Sequence, residues 1–246
     1  MTLARLLLLD TETTGIAHST DCPLEVAWGV YSIPDAALLS VRSCLVDAAT
    51  YRADAAVPDS PEAEAVHGIT RRMWIGGEAW AYVESMVRHE AMGCDAIAAH
   101  NASFDRGWFR DEAILGMPWI DTCDAVTWPW ETRSRSLEAL HLAALGYVTA
   151  GHRAIVDVLT LGRLLTAAAK VTDLRALLAP ALRPRALYAV ADTSFSAERN
   201  ALAKAAGFRW TPEVREWRAT IADEDAEKLA FTVRRVEEKE KREAAQ

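Results

Sequence analysis

An apolar run that leads directly into two carboxylates is the feature that most constrains this chain. Residues 6–9 are four leucines, and Asp10, Glu12 and the turn residue Gly15 follow them. A short apolar run bounded by a turn signal is typical of a buried strand. Side chains two residues apart on a strand share one face, so Asp10 and Glu12 should project together from the end of a core strand.

Two neighbouring carboxylates at such a strand end have two interpretations. Like charges repel each other, and burial makes an unpaired charge costly. A divalent cation such as Mg²⁺ or Mn²⁺ would relieve both effects, because hard cations take oxygen ligands. The alternative is that residues 10–12 form only a polar strand end and a turn. This stretch by itself favours neither interpretation.

The hydrophobic pattern of the first 180 residues predicts a sheet covered by helices. A meander of three strands comes first, and two short strands follow it. The strands are expected at residues 4–10, 24–33, 37–46, 95–99 and 118–120. The helices are expected at residues 78–91, 103–115, 136–144, 153–168 and 171–179. A meander followed by alternating strands and helices indicates an α/β or α+β sheet with helices packed on it.

Pro180 and Pro184 mark the expected domain boundary, which gives domains at residues 1–181 and 182–246. The second domain is predicted to be a small α+β module of the form βαββα. Its elements are a strand at 186–191, a helix at 196–206, a hairpin with strands at 208–210 and 216–219, and a charged helix at 223–242.

Aromatic and basic residues alternate on that hairpin, a pattern typical of nucleic-acid binding. These residues are Arg209, Trp210, Arg215, Trp217 and Arg218. The alternative is that both tryptophans form the core of a very small domain, which needs large side chains.

The charge of the chain is negative and unevenly distributed. The chain has 27 basic and 35 acidic residues, a net charge of −8. Residues 1–182 carry 14 basic and 23 acidic residues, whereas residues 183–246 carry 13 and 12. This balance argues against a protein that coats nucleic acid by electrostatics alone. It is compatible with an enzyme whose metal ions supply the positive charge.

The sequence predicts a cytoplasmic protein without a membrane partner. The leucine run is too short for a signal peptide, and Arg5 and Asp10 flank it. No apolar stretch reaches membrane-spanning length. The four cysteines are scattered without metal-type spacing, which fits free thiols in a reducing compartment.

Two further segments place acids where distant parts of a fold converge. Residues 98–105 read as a short strand followed by a helix with Asp105 in its first turn. Residues 151–157 open another helix and contain His152 and Asp157. Taken singly, each has an ordinary explanation, since an acid is favoured at a helix N-terminus and a histidine often lies on the surface.

Together with the first run, these segments resemble the DEDDh family of 3′→5′ exonucleases, which includes proofreading subunits and ribonuclease T. Three motifs match in order, the last as His-x-Ala-x-x-Asp, at residues 10–15, 100–105 and 152–157. Softer matches lie at residues 24–27, 66–70, 120–122 and 136–140. The resemblance covers about residues 4–180.

The resemblance implies a ribonuclease H-like fold, an α/β mixed five-stranded sheet flanked by helices. It implies metal-dependent hydrolysis at the 3′ end of a nucleic acid, with DNA favoured, by two divalent ions, Mg²⁺ or alternatively Mn²⁺. The family's metal ligands carry over to Asp10, Glu12, Asp105 and Asp157, and its general base carries over to His152. A polymerase or other replication or repair partner, and the oligomeric state, are left open.

The spacing within the third motif has a geometric consequence. Residues five apart on a helix lie about 140° from each other, so His152 and Asp157 cannot point at one site from the same helical face. We therefore expect His152 in the loop after Gly151, at or before the helix start, and mobile when metal is absent. Histidine titrates near neutral pH and can accept a proton from an attacking water.

Contacts with the substrate are expected from residues beside the carboxylates. The candidates are Thr13, Thr14 and Asn101. Phe104 is expected in the core, and Trp128 is expected either in the core or stacked on a base.

Three alternative functions are compatible with parts of the sequence. An RNA 3′ exonuclease and a non-catalytic nucleic-acid-binding protein on the same fold are the first two. A ribonuclease H-type endonuclease is the third, and the His-x-Ala-x-x-Asp motif argues against it.

Overall fold

A five-stranded mixed sheet organises the first of two units, Met1–Leu182 and Arg183–Gln246, into which the chain divides. The computed structural model describes residues 3–52, 56–149, 152–191, 196–212 and 214–236. The strands of the first unit are β1 (Arg5–Thr13), β2 (Pro23–Ser32), β3 (Ala37–Leu45), β4 (Ala96–Ala99) and β5 (Trp119–Asp121).

The strand order is β3-β2-β1-β4-β5, which confirms the predicted mixed sheet. Strands β1, β2 and β3 pair antiparallel, whereas β4 is parallel to both β1 and β5. The carboxyl ends of β1 and β4 therefore lie at the same edge of the sheet, where ligands commonly bind in α/β proteins.

Helices cover both faces of this sheet. They are α1 (Ala48–Tyr51), α2 (Pro61–His67), α3 (Arg71–Trp74), α4 (Trp80–Ala91), α5 (Ala102–Arg106), α6 (Glu112–Leu115), α7 (Leu137–Leu145), α8 (Ala154–Ala168) and α9 (Leu174–Leu178), followed by a 3₁₀ turn (Ala179–Leu182). Among the described residues, no helix is long and apolar enough to cross a membrane.

Strand β1 is buried on both faces, as a continuous apolar run predicts. Leu6 and Leu8 belong to the core beneath α8, whereas Leu7 and Leu9 belong to the core beneath α4. Each fully buried leucine contributes about 1.5–3 kcal/mol to the free energy of unfolding. The alternation continues past the leucines, so the carboxylate of Asp10 projects on the α8 side of the sheet.

Gly29 allows α8 to lie close to the middle of the sheet. A Cβ at this position of β2 would lie 2.6 Å from the Ser40 carbonyl oxygen and 3.4 Å from Val158 Cγ1. Any side chain here would push against strand β3 and helix α8.

The prediction of a single helix at residues 103–115 was wrong, because this segment forms two short helices, α5 and α6. Gly107 packs so closely against the His18 ring that a Cβ would overlap the imidazole. Asp111 then starts α6, since its carboxylate accepts hydrogen bonds from the N–H groups of Ala113 and Ile114. The helix predicted at residues 171–179 begins later, at Leu174.

The second unit contains a four-stranded antiparallel sheet. Its elements are β6 (Arg185–Val190), α10 (Ala197–Ala205), β7 (Arg209–Thr211), β8 (Glu216–Ala222), α11 (Asp223–Ala226) and β9 (Val233–Arg235). The strand order is β7-β8-β6-β9. This sequence of elements and strand order is the split βαβ arrangement, βαββαβ.

The charged helix predicted at residues 223–242 was wrong over its described part. Helix α11 ends at Ala226, and strand β9 follows. The physical reason is that Phe231 and Val233 pack against the core around Val190 and Phe208, which a solvated charged helix would not do. Residues 237–246 lie outside the described residues.

The core of the second unit lies between its sheet and α10. Trp217 packs against this core, and its indole N–H donates a hydrogen bond to Asn200 Oδ1 at 3.0 Å. The ring of Trp210 lies 6.0 Å from the ring of Trp217 but is partly exposed. The core interpretation therefore holds for Trp217.

Candidate active site

Three carboxylates meet at the end of strand β1. Asp10, Glu12 and Asp157 each offer an oxygen atom, and these atoms lie within 4.8 Å of one another. Asp10 and Glu12 continue the row of Leu6 and Leu8 on the face that α8 covers, and Asp157 lies in the first turn of α8. The packing of α8 on β1 thus brings the first and third motifs together.

Asp105 approaches the same strand end from the other side. It is buried in α5, immediately after β4, and its Oδ1 accepts a hydrogen bond from Thr11 Oγ1 at 2.9 Å. The parallel register places Leu8 opposite Ala98, so the ends of β1 and β4 are adjacent. The negative charge of Asp105 raises the pKa of Asp10. Asp105 therefore belongs to the same electrostatic cluster without being one of the three converging carboxylates.

The pKa of each of these four carboxyl groups is raised, chiefly by burial. Burial, then the charges of Asp105 and Asp157, hold the pKa of Asp10 well above its usual range. The pKa of Glu12 is raised to about 8, that of Asp105 to about 7 and that of Asp157 to about 6. A bound dication would remove the mutual repulsion, and the all-oxygen donor set suits Mg²⁺ or Mn²⁺.

His152 precedes helix α8, where the spacing argument places it. Its backbone is left-handed with φ of 66°, and its side chain is 57% exposed. Nε2 lies 3.8 Å from Glu138 Oε1. The backbone N–H of His152 donates a hydrogen bond to the Asp157 carboxylate, which connects the loop to the carboxylate cluster.

An ion pair between a buried glutamate and a partly exposed arginine fixes the start of α8, and sequence reasoning missed it. Arg153 donates from Nε to Glu25 Oε2 at 2.8 Å and from Nη2 to Oε1 at 3.1 Å. Glu25 also accepts hydrogen bonds from Ser43 Oγ and the Ala154 N–H, at 2.5 and 3.3 Å. The Glu25 side chain is 2% exposed and lies directly opposite Glu12 in the sheet. Residues 24–27, which contain Glu25, are one of the weaker matches to the family's sequence pattern. No sequence pattern identified Arg153 as the partner of Glu25.

The hydroxyl groups of Thr13 and Thr14 make internal hydrogen bonds. Thr13 Oγ1 donates to the Gly15 carbonyl at 2.6 Å. Thr14 Oγ1 donates to Asp21 Oδ1 at 3.1 Å and accepts from the Cys22 N–H at 3.0 Å. These bonds close the loop over residues 14–22, so both threonines shape the edge of the site.

His67 supports the same loop from behind. Its Nδ1 accepts a hydrogen bond from the Ile69 N–H at 2.9 Å, which leaves Nε2 to donate to the Thr13 carbonyl at 3.2 Å. Burial lowers the pKa of His67, so the ring is neutral at physiological pH. This residue lies in the softer match at 66–70 and acts on the site through Thr13.

The second motif turns sharply at Asn101. This exposed residue has φ of 88°, and its Oδ1 accepts a hydrogen bond from Ser103 Oγ at 3.2 Å. The Phe104 ring packs edge-on against Trp108, 5.6 Å away, in agreement with the expected core position. His100 contacts Thr122 Oγ1 at 3.1 Å through Nδ1.

Trp128 is buried, which decides between its two interpretations. Its indole N–H donates to the Thr122 carbonyl at 2.8 Å. The Trp130 ring stacks on it at 5.9 Å with an interplanar angle of 18°. Trp128 therefore stabilises the loop and is not available to stack on a base.

The comparison with protein families matches a segment of the second unit. Residues 190–236 match the family described as "Domain of unknown function (DUF8626)". No curated protein sequence matches the chain.

The similarity of this chain to solved structures identifies its fold class. An E. coli exonuclease I complex with single-stranded DNA and zinc superposes with a TM-score of 0.54 at 18% identity, covering 81% of this chain and 50% of that chain. The fold is ribonuclease H-like. Exonuclease I from Methylocaldum szegediense gives a TM-score of 0.54 at 18% identity, covering 80% of this chain and 49% of that chain. The chain thus spans about half the length of these structures, and the predicted fold class is confirmed.

Proposed function

We propose that this protein is a metal-dependent 3′→5′ exonuclease that hydrolyses phosphodiester bonds at the 3′ end of nucleic acid, with DNA favoured. One observation carries the proposal: Asp10, Glu12 and Asp157 converge within 4.8 Å on a ribonuclease H-like fold, with Asp105 beside them. The three motifs that resemble the DEDDh family supply these same residues.

The four carboxylates would hold two divalent ions, Mg²⁺ or Mn²⁺. When bound, such ions stabilise charge on the scissile phosphate and acidify a water molecule. The raised pKa of Glu12, about 8, supports this assignment, because burial and then the neighbouring carboxylates disfavour its charge, and a bound cation would favour that charge again. The protein's own contribution is to hold the donor oxygens together at the end of a rigid strand.

His152 would act as the general base. Its side chain is exposed in the loop before α8, and the charge of the protonated ring partly offsets the burial that raises the pKa of Asp157, which supports a position within electrostatic reach of the carboxylate cluster. The ring accepts the proton of the attacking water, and the nearby Glu138 carboxylate stabilises the resulting imidazolium. The bond from the His152 N–H to Asp157 keeps the base next to the proposed metal ligands.

Single-stranded DNA is the substrate that the comparisons support best. Two of the E. coli exonuclease I structures are complexes with single-stranded DNA or a dT13 oligonucleotide. Thr13, Thr14 and Asn101, which adjoin the carboxylates in the sequence motifs, are the proposed contacts with the terminal nucleotide. Thr13 and Thr14 are buried and their hydroxyl groups are engaged internally, whereas Gly15 is half-buried and Asn101 is exposed, so Gly15 and Asn101 are the more accessible of these positions.

The decisive test is digestion of 5′-fluorescein-labelled 20-nucleotide DNA and RNA strands of matched sequence, with Mg²⁺, Mn²⁺ or chelator. The expected result is a ladder that shortens from the 3′ end, requires metal and is faster on DNA. Faster digestion of the RNA strand than of the DNA strand would indicate that RNA is the preferred substrate. Cleavage of circular single-stranded DNA would indicate an endonuclease and contradict the proposal.

Asp10→Ala and Asp157→Ala should each abolish the ladder, because each removes a proposed metal ligand. Glu112→Gln, at an exposed acid in the first turn of α6, is the matched control and should digest like the wild type. Digestion at the wild-type rate by either aspartate variant would refute the assignment.

A further inference from the structure

A histidine in the loop between β1 and β2 contacts the helix that carries Asp105. His18 Nε2 lies 2.8 Å from the carbonyl oxygen of Phe104, the residue before Asp105 in α5. A carbonyl oxygen only accepts hydrogen bonds, so Nε2 carries the hydrogen and donates it. The contact joins two segments that are 86 residues apart in the chain. One of them continues from the strand of Asp10 and Glu12, and the other contains Asp105.

The His18 ring also packs against aromatic residues of the same segment. Its centroid lies 4.3 Å from the Trp108 ring and 5.7 Å from the Phe104 ring, and both pairs are tilted. Gly107 leaves room for the imidazole, because the three atoms nearest to a Cβ at this position would all belong to the His18 ring. His18 is therefore held by a hydrogen bond and by packing on two rings, and Gly107 forms part of its contact surface.

The backbone that carries His18 is itself fixed by hydrogen bonds. Within the loop over residues 14–22, the Asp21 N–H donates to the Ala17 carbonyl at 2.8 Å, and the Ala17 N–H donates to Asp21 Oδ2 at 2.9 Å. The Arg52 guanidinium donates to the His18 carbonyl at 2.9 Å. Because these bonds organise the loop, the His18 side chain forms a defined connection from strand β1 to helix α5.

Helix α5 depends on such contacts for its position. It has five residues, and a helix of this length is not stable by itself in water. Two contacts come from β1 and the loop after it: Thr11 Oγ1 donates to Asp105 Oδ1 at 2.9 Å, and His18 donates to the Phe104 carbonyl. The first contact orients the carboxylate, and the second fixes the backbone one residue before it. Together they place Asp105 relative to the carboxylates of β1.

We propose that His18 is a positioning residue for the metal site, which acts through the Phe104 backbone to hold Asp105 beside Asp10 and Glu12. That a metal ion occupies the carboxylate cluster rests on the proposed function. Residues that orient metal ligands contribute to metal affinity, because the donor atoms are then already in place when the ion binds. The neutral Nε2–H tautomer and the imidazolium both donate from Nε2, so the contact is compatible with either charge of the ring.

The test is isothermal titration calorimetry of Mn²⁺ binding to the full chain at pH 8, where protons compete least with the metal. His18→Ala should weaken the Mn²⁺ affinity about 10- to 100-fold, the usual range for residues that orient metal ligands. His18→Gln keeps a hydrogen-bond donor on the side chain and should lose less affinity than His18→Ala. The matched control, His89→Ala, removes an exposed histidine of α4 and should bind Mn²⁺ like the wild type.

Gly107→Ala tests the same contact from its other side. The backbone of Gly107 is right-handed helical with φ of −64°, which alanine adopts without strain. The added methyl group overlaps the imidazole and should displace it from the Phe104 carbonyl. We expect Gly107→Ala to weaken Mn²⁺ binding in the wild type and to have no further effect in His18→Ala, where the space is free. Such non-additivity is expected when two changes act on one contact.

Weaker Mn²⁺ binding by His18→Ala and by Gly107→Ala, with the control unchanged, supports the proposal. Wild-type affinity in either variant overturns it, and so does an effect of Gly107→Ala that is equally large in the His18→Ala background. Thermal unfolding in chelator checks the fold, since a merely structural role would lower the unfolding midpoint and leave the Mn²⁺ affinity of the folded protein unchanged. If His18→Ala does not fold, His18→Gln and Gly107→Ala are measured for the same loss of affinity.

These measurements separate the role of His18 from the proposed exonuclease activity. Calorimetry does not depend on catalysis, so a wild-type protein that binds Mn²⁺ more tightly than His18→Ala but digests nothing would refute only the exonuclease. A wild-type protein that binds Mn²⁺ and digests DNA, with His18→Ala equal to it in Mn²⁺ affinity, would refute only the role of His18. A wild-type protein that binds no Mn²⁺ would refute both.

Discussion

Arg153 and Glu25 join the start of helix α8 to strand β2 through two hydrogen bonds of 2.8 and 3.1 Å. Arg153 lies between His152 and the helix that carries Asp157. The pair thus fixes the backbone from which the proposed base and one proposed metal ligand project. The Arg153 charge also lowers the pKa of Glu12, which burial and neighbouring acids raise.

Glu25→Gln should reduce the proposed exonuclease activity about 10- to 100-fold, the usual range for residues that orient metal ligands. The glutamine keeps the shape but leaves the Arg153 guanidinium with a weaker partner. We expect a free energy of unfolding lower by about 2 kcal/mol, measured in urea. Glu90→Gln is the control, since Glu90 contacts Arg42 at 3.6 Å in a surface ion pair, and it should change neither quantity appreciably. Activity of the Glu25 variant equal to that control would mean that the pair does not position the site.

The stability of the metal-free protein should fall as pH rises from about 5 to about 8. Glu12 has a pKa of about 8 and Asp157 of about 6 in the folded protein, above the values near 4 of unfolded carboxyls. The folded state therefore holds protons that the unfolded state has lost, and stability decreases by about 1.4 kcal/mol per pH unit for each such proton.

Thermal unfolding in chelator and with Mn²⁺ measures this effect. Mn²⁺ should raise the unfolding midpoint more at pH 8 than at pH 6, because protons compete with the metal for the carboxylates. Glu12→Gln should show a flatter pH dependence in chelator and a smaller response to Mn²⁺. If the thermal unfolding midpoint in chelator rises between pH 5 and pH 8, the carboxyl groups of the cluster do not have raised pKa values in the folded protein.

His152→Ala should lower kcat about 10²- to 10⁴-fold, the contribution typical of a general base. Metal affinity, measured by calorimetry with Mn²⁺, should change little, because His152 is exposed and is not one of the three converging carboxylates. Glu138→Gln, which neutralises the carboxylate 3.8 Å from the ring, should have a smaller effect. A loss of metal affinity equal to that of Asp157→Ala would instead make His152 a ligand.

Trp128→Ala should lower the free energy of unfolding by about 3–5 kcal/mol, because it opens a cavity in the core and removes the bond to the Thr122 carbonyl. Trp128→Phe should lose less, since it fills most of the space. Denaturant unfolding measures both variants. The affinity of folded Trp128→Phe for single-stranded DNA should equal that of the wild type, and a marked loss would restore the stacking interpretation.

The elements that the sequence predicted well are those with strong local patterns. The leucines before Asp10 predict a strand buried on both faces, and the alternation places Glu12 on the same side as Asp10. The i, i+5 spacing places His152 outside the helix that contains Asp157. Each of these follows from backbone geometry that neighbouring residues determine.

The elements that the sequence did not predict depend on contacts between distant residues. The break after Arg106 depends on the His18 ring packing against Gly107, about 90 positions away in the chain. The charged stretch after residue 223 looks helical by composition, but Phe231 and Val233 are needed in the core of a small unit. Glu25 and Arg153 are separated by 128 residues, and no local pattern connects them.

Burial of β1 on both faces also determines how the site can fluctuate. The central strand of a sheet exchanges its amide hydrogens mainly through global unfolding, whereas exposed loops open locally. Asp10 and Glu12 are therefore held by the full cooperativity of the first unit, whereas His152 lies outside helix α8 with its side chain 57% exposed. The proposed metal ligands therefore belong to the part of the first unit that opens least often, whereas the proposed base lies on an exposed loop whose following residue, Arg153, is anchored to the sheet.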